Sequence, residues 1–335
     1  MVSNIEDVAR LAGVARGTVS NVLNRPEKVA PATRERVLDA VSKLGYVPNE
    51  SARVLAGGLG RFVGIVVHDA SNPYFAQIIR AIEDVALTKK YTVTVTSTGA
   101  EAAREEMALE LLLQQRAQGV LITPATIGVT GAAKLRAIGT SVVLLDSVGA
   151  PGECSVSVDD IEGGRLAARH FIERGLRRFA FVGTASKTTQ HRDRLAGFLS
   201  ELGANGFGRD SVKVIEVAHE DVESGRSAAE AVRLDSEVGP LAVFCGNDLI
   251  AVGLSFELED TDRTASQRIA LCGYDDIDFA AYLSNPLTSI RQPMKVIGPT
   301  ALELLLDEVT NPRHEHRNVQ FTPTLVARRS SAISV

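Results

Sequence analysis

The stretch IEDVARLAGVARGTVSNVLN (residues 5–24) decides the fold at the start of the chain. Its apolar residues recur at helical spacing up to Gly13, and a second helical pattern follows over about 16–23. We expect Ser3 and Glu6 to form a capping box at the start of the first helix. Two short helices joined by a tight turn are typical of a helix-turn-helix.

A third helix is expected directly afterwards. Pro31 suits the first turn of a helix and Gly45 suits its end, with apolar residues at helical spacing between them. The pattern breaks at 46–48. Residues 49–60 then predict a short hinge helix followed by a glycine-rich linker, because two helical turns are only marginally stable in isolation.

From Phe62 onward, apolar runs of strand length alternate with amphipathic helical stretches. This alternation is typical of parallel sheets with helices on both faces, and the chain is long enough for two such units. The expected strands are 62–67, 92–96, 120–123, 142–146, 179–182, 212–217, 242–245 and 269–273. The expected helices between them are 75–86, 104–115, 163–173, 192–201, 225–232 and 248–258.

The 335 residues carry a net charge of −5, and 45% of them are hydrophobic, which is an ordinary globular composition. Residues 1–60 hold eight Lys/Arg and six Asp/Glu, so this head has a net charge of +2 and the remainder has −7. A basic head on an acidic body favours a partner with phosphates at one end. A solvated surface without a phosphate-bearing partner explains the net charge of +2 equally well.

Two features of the sequence indicate the cellular location of the protein. No apolar run reaches the roughly 18 residues that a membrane span needs, and the start of the chain lacks the layout of a secretory signal. We therefore expect a cytoplasmic protein that does not bind membranes. Cys154, Cys245 and Cys272 are far apart in apolar surroundings, so we expect buried thiols rather than disulfide or metal partners.

Common enzyme classes are marked by short sequence motifs. The sequence has no G-x-G-x-x-G loop, no phosphate loop ending in Gly-Lys-Ser/Thr, no H-E-x-x-H and no G-x-S-x-G. These absences argue against an enzyme, and no cofactor is expected. We interpret His314-Glu315-His316 as a solvated turn and predict no metal site.

Several motifs occur in a fixed order along the whole chain. They are IEDVARLAGVA (5–15), TVSNVLN (18–24), TRERV (33–37), LGYVPN (44–49), SNPYF (71–75), RLAGF (194–198), ND (247–248), GYDD (273–276) and RQP (291–293). This ordered set resembles the lactose-repressor (LacI/GalR) family of transcriptional regulators. The resemblance implies a three-helix head and an α/β core of two periplasmic-binding-protein-like subdomains.

The family also implies that the chain crosses between the two subdomains near 160–164, 289–292 and 321–323. We accordingly predict a DNA-binding domain over 1–48, a hinge and linker over 49–60, an N-terminal subdomain over 61–160 and 292–321, and a C-terminal subdomain over 161–291 and 322–335. The ligand cleft is expected between the subdomains, outside the carboxyl ends of the strands.

The second helix is the expected recognition helix, whose outward residues face base edges in the major groove. Arg pairs bidentately with guanine and Asn with adenine. The alternative for Arg16 is a phosphate contact or free exposure. Many relatives carry a hydroxyl residue where this chain has Ala15, so we expect Thr18 or Thr33 to supply the phosphate contact. The outward positions are Arg16, Gly17, Ser20 and Asn21.

The hinge contributes three further expected DNA contacts, Asn49, Arg53 and Leu55. By resemblance, paired hinge helices of a dimer lie in the minor groove, and Leu55 wedges into a base step and kinks the DNA. The alternative is that Leu55 packs on the core.

A polyhydroxylated ligand needs converging carboxylates, amides and an arginine, together with a flat apolar surface. The alternatives are that Arg194 and Asp275 form a salt bridge that holds the cleft, that Asp248 caps the helix after Asn247, and that Asp276 is structural beside Asp275. Near His219-Glu220 several relatives carry an aromatic residue that this chain lacks. The predicted effector-binding residues are Asp69, Tyr74, Phe75, Asp146, Arg194, Asn247 and Asp275; by resemblance, the last four match sugar-contacting positions.

The leading hypothesis is a ligand-responsive repressor of sugar or related small-molecule metabolism. It would bind a near-palindromic double-stranded operator as a homodimer, because the chain ends soon after 324–326 without the leucine heptads that assemble tetramers. The alternatives are an enzyme built on the α/β core and a secreted solute-binding protein. The missing catalytic motifs argue against the first, and the N-terminal helices argue against the second.

Overall fold

The computed structural model describes residues 3–47, 61–124, 135–137, 139–186, 188–261 and 269–332. The chain forms two compact units, a head over Met1–Gly60 and a core over Arg61–Val335. The helix-turn-helix prediction is confirmed, since the head contains α1 (Ile5–Ala12), α2 (Arg16–Asn24) and α3 (Pro31–Leu44). Within the described residues, no helix is both long and apolar enough to cross a bilayer.

The head is held by a small apolar core to which all three helices contribute. Gly13 and Gly45 end α1 and α3 with φ of 64° and 57°, a left-handed conformation that glycine adopts without strain. The core residues are Val8, Ala9, Ala12, Val19, Val22, Val37 and Ala40.

The predicted capping box of Ser3 and Glu6 is wrong by one residue. Asn4 caps α1 instead, accepting the Asp7 N–H at 3.1 Å, and the Asp7 carboxylate accepts the Asn4 N–H at 3.1 Å. Ser3 donates its hydroxyl to the Leu44 carbonyl at 3.0 Å, which joins the start of α1 to the end of α3. An Asn carbonyl caps a helix as well as a Ser hydroxyl does, so sequence spacing could not separate the two.

The first sheet of the core is parallel throughout, in the order β11-β5-β4-β3-β1-β2. Helices α4 (Pro73–Thr88) and α11 (Met294–Thr310) share an apolar cluster with one face, and α5 (Ala102–Gln114) packs on the other. The strands are β1 (Phe62–Val67), β2 (Thr92–Ser97), β3 (Gly119–Ile122), β4 (Ser141–Leu145), β5 (Cys154–Val158) and β11 (Asn318–Phe321).

The second sheet has the order β12-β10-β9-β8-β6-β7, and its edge strand β12 is antiparallel. One face packs against α6 (Asp160–Glu173) and α7 (Thr189–Ala204), and the other against α9 (Ala229–Ser236) and α10 (Asp248–Thr261), while the short α8 (Val222–Ser227) packs on α10. The strands are β6 (Phe179–Gly183), β7 (Val212–Glu216), β8 (Leu241–Cys245), β9 (Ile269–Asp275), β10 (Thr288–Arg291) and β12 (Thr324–Val326).

The predicted α/β class, with two mostly parallel sheets covered by helices, is therefore confirmed. The chain passes between the sheets after β5, after β10 and after β11. The predicted boundaries at 160/161, 291/292 and 321/322 fall at or next to these passages. The division into two separate subdomains stays a prediction, because the core forms one compact unit.

Candidate functional site

The predicted effector-binding residues all lie at one end of the two sheets. Asp69 follows β1, Asp146 follows β4 and Asn247 follows β8, while Asp275 is the last residue of β9. Tyr74 and Phe75 lie in the first turn of α4, which begins just after β1. Carboxyl ends of parallel strands meet at one edge of a sheet, which is where open α/β folds bind ligands.

A cavity of about 340 Å³ separates the two sheets at this end, a volume typical of small-molecule sites. Asp69 and Phe75 line it from the first sheet, and Thr184 and Glu220 line it from the second. A smaller pocket of about 20 Å³ adjoins it and shares Phe75 and Glu220. This pocket is lined by the other predicted residues, Tyr74, Asp146, Arg194, Asn247 and Asp275. The structure thus brings all seven predicted residues together.

Two of these residues have a backbone conformation that L-amino acids rarely adopt. Asp146 has φ of 55° and Asp275 has φ of 110°. Positive φ costs a non-glycine residue of order 1–3 kcal/mol and is concentrated at functional sites. The turn after each strand therefore holds its carboxylate at the pocket at the expense of local stability.

Arg194 is buried among opposite charges and a ring. Its Nε donates to Asp160 Oδ1 at 2.8 Å, and its Nη1 donates to the Gly246 carbonyl at 2.6 Å. The guanidinium lies 3.6 Å from the centroid of the Tyr274 ring, which adds a cation–π contact. The alternative that Arg194 forms a salt bridge with Asp275 is wrong, since Arg194 pairs with Asp160 instead.

Two glycines set the position of Arg194 by allowing α6 and α7 to touch. A Cβ at Gly197 would overlap the Ile161 carbonyl, and a Cβ at Gly164 would overlap the Arg194 carbonyl. Side chains at either position would push the helices apart and withdraw the guanidinium from the pocket. This close approach is the physical reason for the Gly in the RLAGF motif.

A hydrogen-bonded chain runs across the pocket. The Tyr74 hydroxyl donates to Asp146 Oδ1 at 2.9 Å, and Gln292 Nε2 donates to Asp275 Oδ1 at 2.7 Å. Gln190, on α7 beside the second sheet, donates to the Asp146 carbonyl at 2.7 Å and so links the two sides.

Burial, reinforced by the nearby Asp160 carboxylate, raises the pKa of Asp146 to about 8. Asp146 is therefore largely protonated at neutral pH.

A second buried group was missed by the sequence reasoning. His191 Nδ1 accepts the Thr184 N–H at 3.0 Å, which leaves the neutral ring's proton on Nε2, 3.7 Å from Glu220 Oε1. Burial lowers the pKa of His191 to about 4, so the ring is neutral at pH 7. The Thr184 hydroxyl donates to the same Glu220 oxygen at 3.0 Å. This cluster forms the second-sheet wall of the pocket.

Other lining residues were also missed, namely His68, Asn72 and Gln190. His68 directly follows β1, so its place at a strand end was the available signal. Gln190 had no such signal, because it lies in the first turn of a helix. His219-Glu220, noted in the sequence for its missing aromatic residue, lines the larger cavity.

The alternative that Asp248 caps the helix after Asn247 is wrong, because Asn247 itself accepts the Ile250 N–H at 2.9 Å at the start of α10. The buried Asp248 carboxylate accepts the Ser289 hydroxyl at 2.6 Å and the Ile277 N–H at 2.9 Å. Asp276 forms ion pairs with Arg291 and Arg328, each at 2.6 Å. Both hold the turn after β9, and thereby the position of Asp275.

The predicted DNA-contacting residues of the head lie mostly on the open side of α2. Arg16, Gly17 and Asn21 are exposed, and Ser20, Thr18 and Thr33 are half-buried. Asn49, Arg53 and Leu55 lie outside the described residues.

Two details of α2 refine the expected contacts. Ala15 caps α2 without a side-chain hydrogen bond, which leaves N–H groups at the helix start for a phosphate. Arg16 Nη1 lies 3.6 Å from Glu6 Oε1 with both side chains about two-thirds exposed, so this ion pair is weak enough to be exchanged for a base contact.

Comparison with known proteins agrees with both parts of this geometry. Residues 4–49 match the family model described as bacterial regulatory proteins, lacI family, and residues 168–331 match a periplasmic binding protein-like domain. The structure resembles that of the lac repressor dimer bound to operator and the anti-inducer ONPF, with a TM-score of 0.86 at 26% identity over 100% of both chains. It also resembles a LacI family regulator of Enterococcus faecalis with bound ribose, with a TM-score of 0.74 at 28% identity over 82% of this chain and 100% of that one.

Similarity in sequence extends over almost the whole chain. The HTH-type transcriptional repressor PurR of Erwinia tasmaniensis is 33% identical over 99% of this chain and 97% of its own. The ribose operon repressor of Escherichia coli is 30% identical over 98% of this chain and 100% of its own. The chain therefore belongs to the LacI family of bacterial DNA-binding transcriptional regulators.

Proposed function

We propose that this chain is a cytoplasmic repressor of sugar or related small-molecule metabolism genes, controlled by an effector that binds in the core cavity. The observation that carries the proposal is the convergence of Asp146, Arg194, Asn247 and Asp275 at strand ends around one pocket. The carboxyl groups accept hydrogen bonds, and the protonated Asp146 can also donate one, while the Arg and Asn side chains donate them. A ligand with several hydroxyl groups uses both kinds of partner at once.

The lining of the cavity supports a sugar as the effector. Phe75 and the neighbouring Tyr74 offer apolar surface from the first sheet. The opposite wall, as far as the described residues form it, is mostly polar and includes Thr184, Thr188, His219 and Glu220. A pyranose or furanose ring needs one flat face and polar groups around its rim, and this lining supplies both. The ribose-bound regulator and the ribose operon repressor among the relatives support the same class.

We infer that the operator is read by the open side of α2. Arg16 and Asn21 have the chemistry to pair bidentately with guanine and adenine, respectively. By family resemblance, residues 49–60, which lie outside the described residues, are expected to supply a hinge helix and linker whose Leu55 enters the minor groove. Phosphate contacts from the start of α2 would fix the register on the duplex.

A homodimer is supported by aromatic residues that the core leaves exposed. Phe256 on α10 is 61% exposed and Tyr282 is 86% exposed. Ser284 donates to Glu259 at 2.9 Å, so the segment after β9 lies beside α10 and groups these rings on one side of the second sheet. Exposed aromatic groups are typical of interfaces between subunits. Sedimentation of wild type beside Tyr282→Arg tests this surface: a monomeric variant supports it, and an unchanged dimer contradicts it.

The effector proposal is tested by thermal shift of the full chain against a panel of pentoses, hexoses and purine bases. A ligand that binds only the native state raises the melting temperature, and we expect sugars to do so. Asp275→Asn should lose this response, whereas Asp278→Asn, an exposed carboxylate on the same segment, should keep it. The ligand found is then added to an operator-binding titration.

Two outcomes would contradict the proposal. If purine bases raise the melting temperature and sugars do not, the ligand class is wrong. If a bound ligand leaves operator affinity unchanged, the cavity is not a regulatory site.

A further inference from the structure

A cluster of metal-binding side chains lies at the end of the first sheet opposite the cavity. Cys154 begins β5, Glu308 lies in the last turn of α11, and His314 and His316 lie in the loop that leads to β11. One ligand atom from each of the four residues lies within 4.8 Å of all the others. The effector cavity lies at the carboxyl ends of the strands, so this cluster is a separate site.

The spacing of the atoms fits a tetrahedral ion. Cys154 Sγ lies 3.1 Å from His314 Nε2 and 3.7 Å from His316 Nδ1. A tetrahedral zinc ion with its usual bonds to sulfur and nitrogen separates two such ligands by about 3.5 Å. The observed distances bracket this value. A single thiol–imidazole hydrogen bond accounts for the first distance but not for the convergence of the second imidazole and the carboxylate.

The surrounding groups orient the ligands as they do in metal sites. His314 Nδ1 lies 2.7 Å from Asp307 Oδ2, which keeps a proton on Nδ1 and directs the lone pair of Nε2 at the cluster. The Arg317 N–H points at Cys154 Sγ at 3.5 Å. Carboxylate–histidine pairs and N–H···S contacts of this kind hold ligands in the geometry that the ion requires.

The carboxylate of Glu308 gives independent support for a bound ion. Its Oε2 is buried and has no hydrogen-bond partner among the described residues. A buried carboxylate oxygen without a partner is unfavourable, and such groups call for an ion or a water. A cation bound to the thiolate and the imidazoles would satisfy it.

We propose that Cys154, His314, His316 and Glu308 bind Zn²⁺ or a chemically similar divalent transition metal. A thiolate with two imidazoles selects zinc-like ions over Mg²⁺ and Ca²⁺, which prefer all-oxygen ligands. The ion joins β5, the end of α11 and the loop before β11, which are distant along the chain. It therefore stabilises the outer strand pair of the first sheet. This differs from our interpretation of 314–316 as a solvated turn, because two of the four ligands come from elsewhere in the sequence.

Cobalt titration of the metal-free full chain tests the proposal, because Co²⁺ bound by a thiolate gives a charge-transfer band and tetrahedral Co²⁺ gives strong visible bands. We expect one equivalent of Co²⁺ per chain, displaced by Zn²⁺ and not by Mg²⁺. Cys154→Ser should abolish the charge-transfer band. Cys245 and Cys272 lie in β8 and β9 of the second sheet, away from the cluster, so they cannot replace it.

The variant His316→Ala removes an exposed ligand and leaves the packed core untouched, so it should fold. It should weaken Co²⁺ binding roughly tenfold or more. Glu315→Ala, also exposed and outside the cluster, is the matched control and should bind like wild type. Zn²⁺ should raise the melting temperature of wild type and of the control but not of His316→Ala.

The proposal is overturned if wild type gives no thiolate–cobalt band. It is also overturned if the band or the Zn²⁺-dependent melting shift survives unchanged in His316→Ala. If Cys154→Ser fails to fold, the His316 and Glu315 variants still decide the question.

Discussion

Arg194→Ala is the substitution that best tests how the cleft is built, because Arg194 serves both the ligand pocket and the fold. The side chain is 4% exposed and its partner Asp160 is 11% exposed, so both charges are shielded from water. Removing the guanidinium leaves Asp160 without its ion pair and the Gly246 carbonyl without its donor. Breaking a buried pair on one side costs about 3–5 kcal/mol.

Because the unpaired Asp160 carboxylate is buried, we expect a second substitution that removes its charge to restore part of the lost stability. Burial already raises the pKa of Asp160, and Arg194 opposes that rise. In the double variant Arg194→Ala with Asp160→Asn no unpaired charge remains. We therefore expect the double variant to unfold at a higher urea concentration than Arg194→Ala alone, with a coupling energy of about 0.5–3 kcal/mol.

Urea unfolding of the four proteins of this cycle measures the effect, followed by circular dichroism because the chain has no tryptophan. Arg194→Ala should lose about 3–5 kcal/mol of unfolding free energy relative to wild type. A loss below about 1 kcal/mol, the value typical of exposed pairs, would refute the buried ion pair. So would an Asp160→Asn substitution that destabilises Arg194→Ala further.

Three more predictions concern DNA, ligand and pH. Arg16→Ala should lower the preference for operator over random duplex by about 1–3 kcal/mol in fluorescence anisotropy, and equal weakening on both duplexes would make Arg16 a phosphate contact. Asp275→Asn should bind operator like wild type but lose the change in affinity on adding ligand; a retained response would place the effector elsewhere. Burial raises the pKa of Asp146 from its ordinary 3.8 to about 8 in the folded protein, so its protonated carboxyl stabilises the fold below about pH 4 and this contribution is lost as pH rises through 8. Urea unfolding of ligand-free protein between about pH 6 and 9 should therefore show stability falling with pH, and less steeply in Asp146→Asn; a slope that Asp146→Asn leaves unchanged would assign the proton to another group.

Much of the fold was predictable because local signals agreed with one another. Glycines and a proline bounded the three head helices at Gly13, Pro31 and Gly45. Buried strands such as β1 and β8 are nearly continuous apolar runs, which are readily recognised in the sequence. The sequence reasoning missed β5, whose CSVSV alternates small polar residues with valine although every residue is buried. The Ser155 hydroxyl is satisfied by Asn318, which is distant in the sequence, and no local pattern reveals this contact.

The site was predictable to the extent that it follows from strand ends and family motifs. Asp146, Asn247 and Asp275 are of this kind, since each stands where a parallel strand finishes. Gln190 and His191 are not, because they lie in the first turn of α7 and depend on partners such as Asp146 and Glu220, which are distant in the sequence. The metal cluster is less visible still, because Cys154 and the two histidines stand 160 residues or more apart.

The coupling between ligand and DNA follows from which groups stand on which side of the cavity. Asp69 and Asp146 belong to the first sheet, and Arg194, Asn247 and Asp275 lie with the second. Among the described contacts, the bond from Gln190 to the Asp146 carbonyl already links the two sides. A ligand that bonds both sets adds to this link and favours the arrangement in which the sides are close. It alters DNA affinity only as far as its own affinity differs between the two arrangements, typically by about 1–3 kcal/mol. Operator must then change ligand affinity by the same factor. Under the proposed function, a ligand that contacted one side alone would bind without regulating, so contacts on both sides of the cavity, rather than its depth or volume, are what the switch requires.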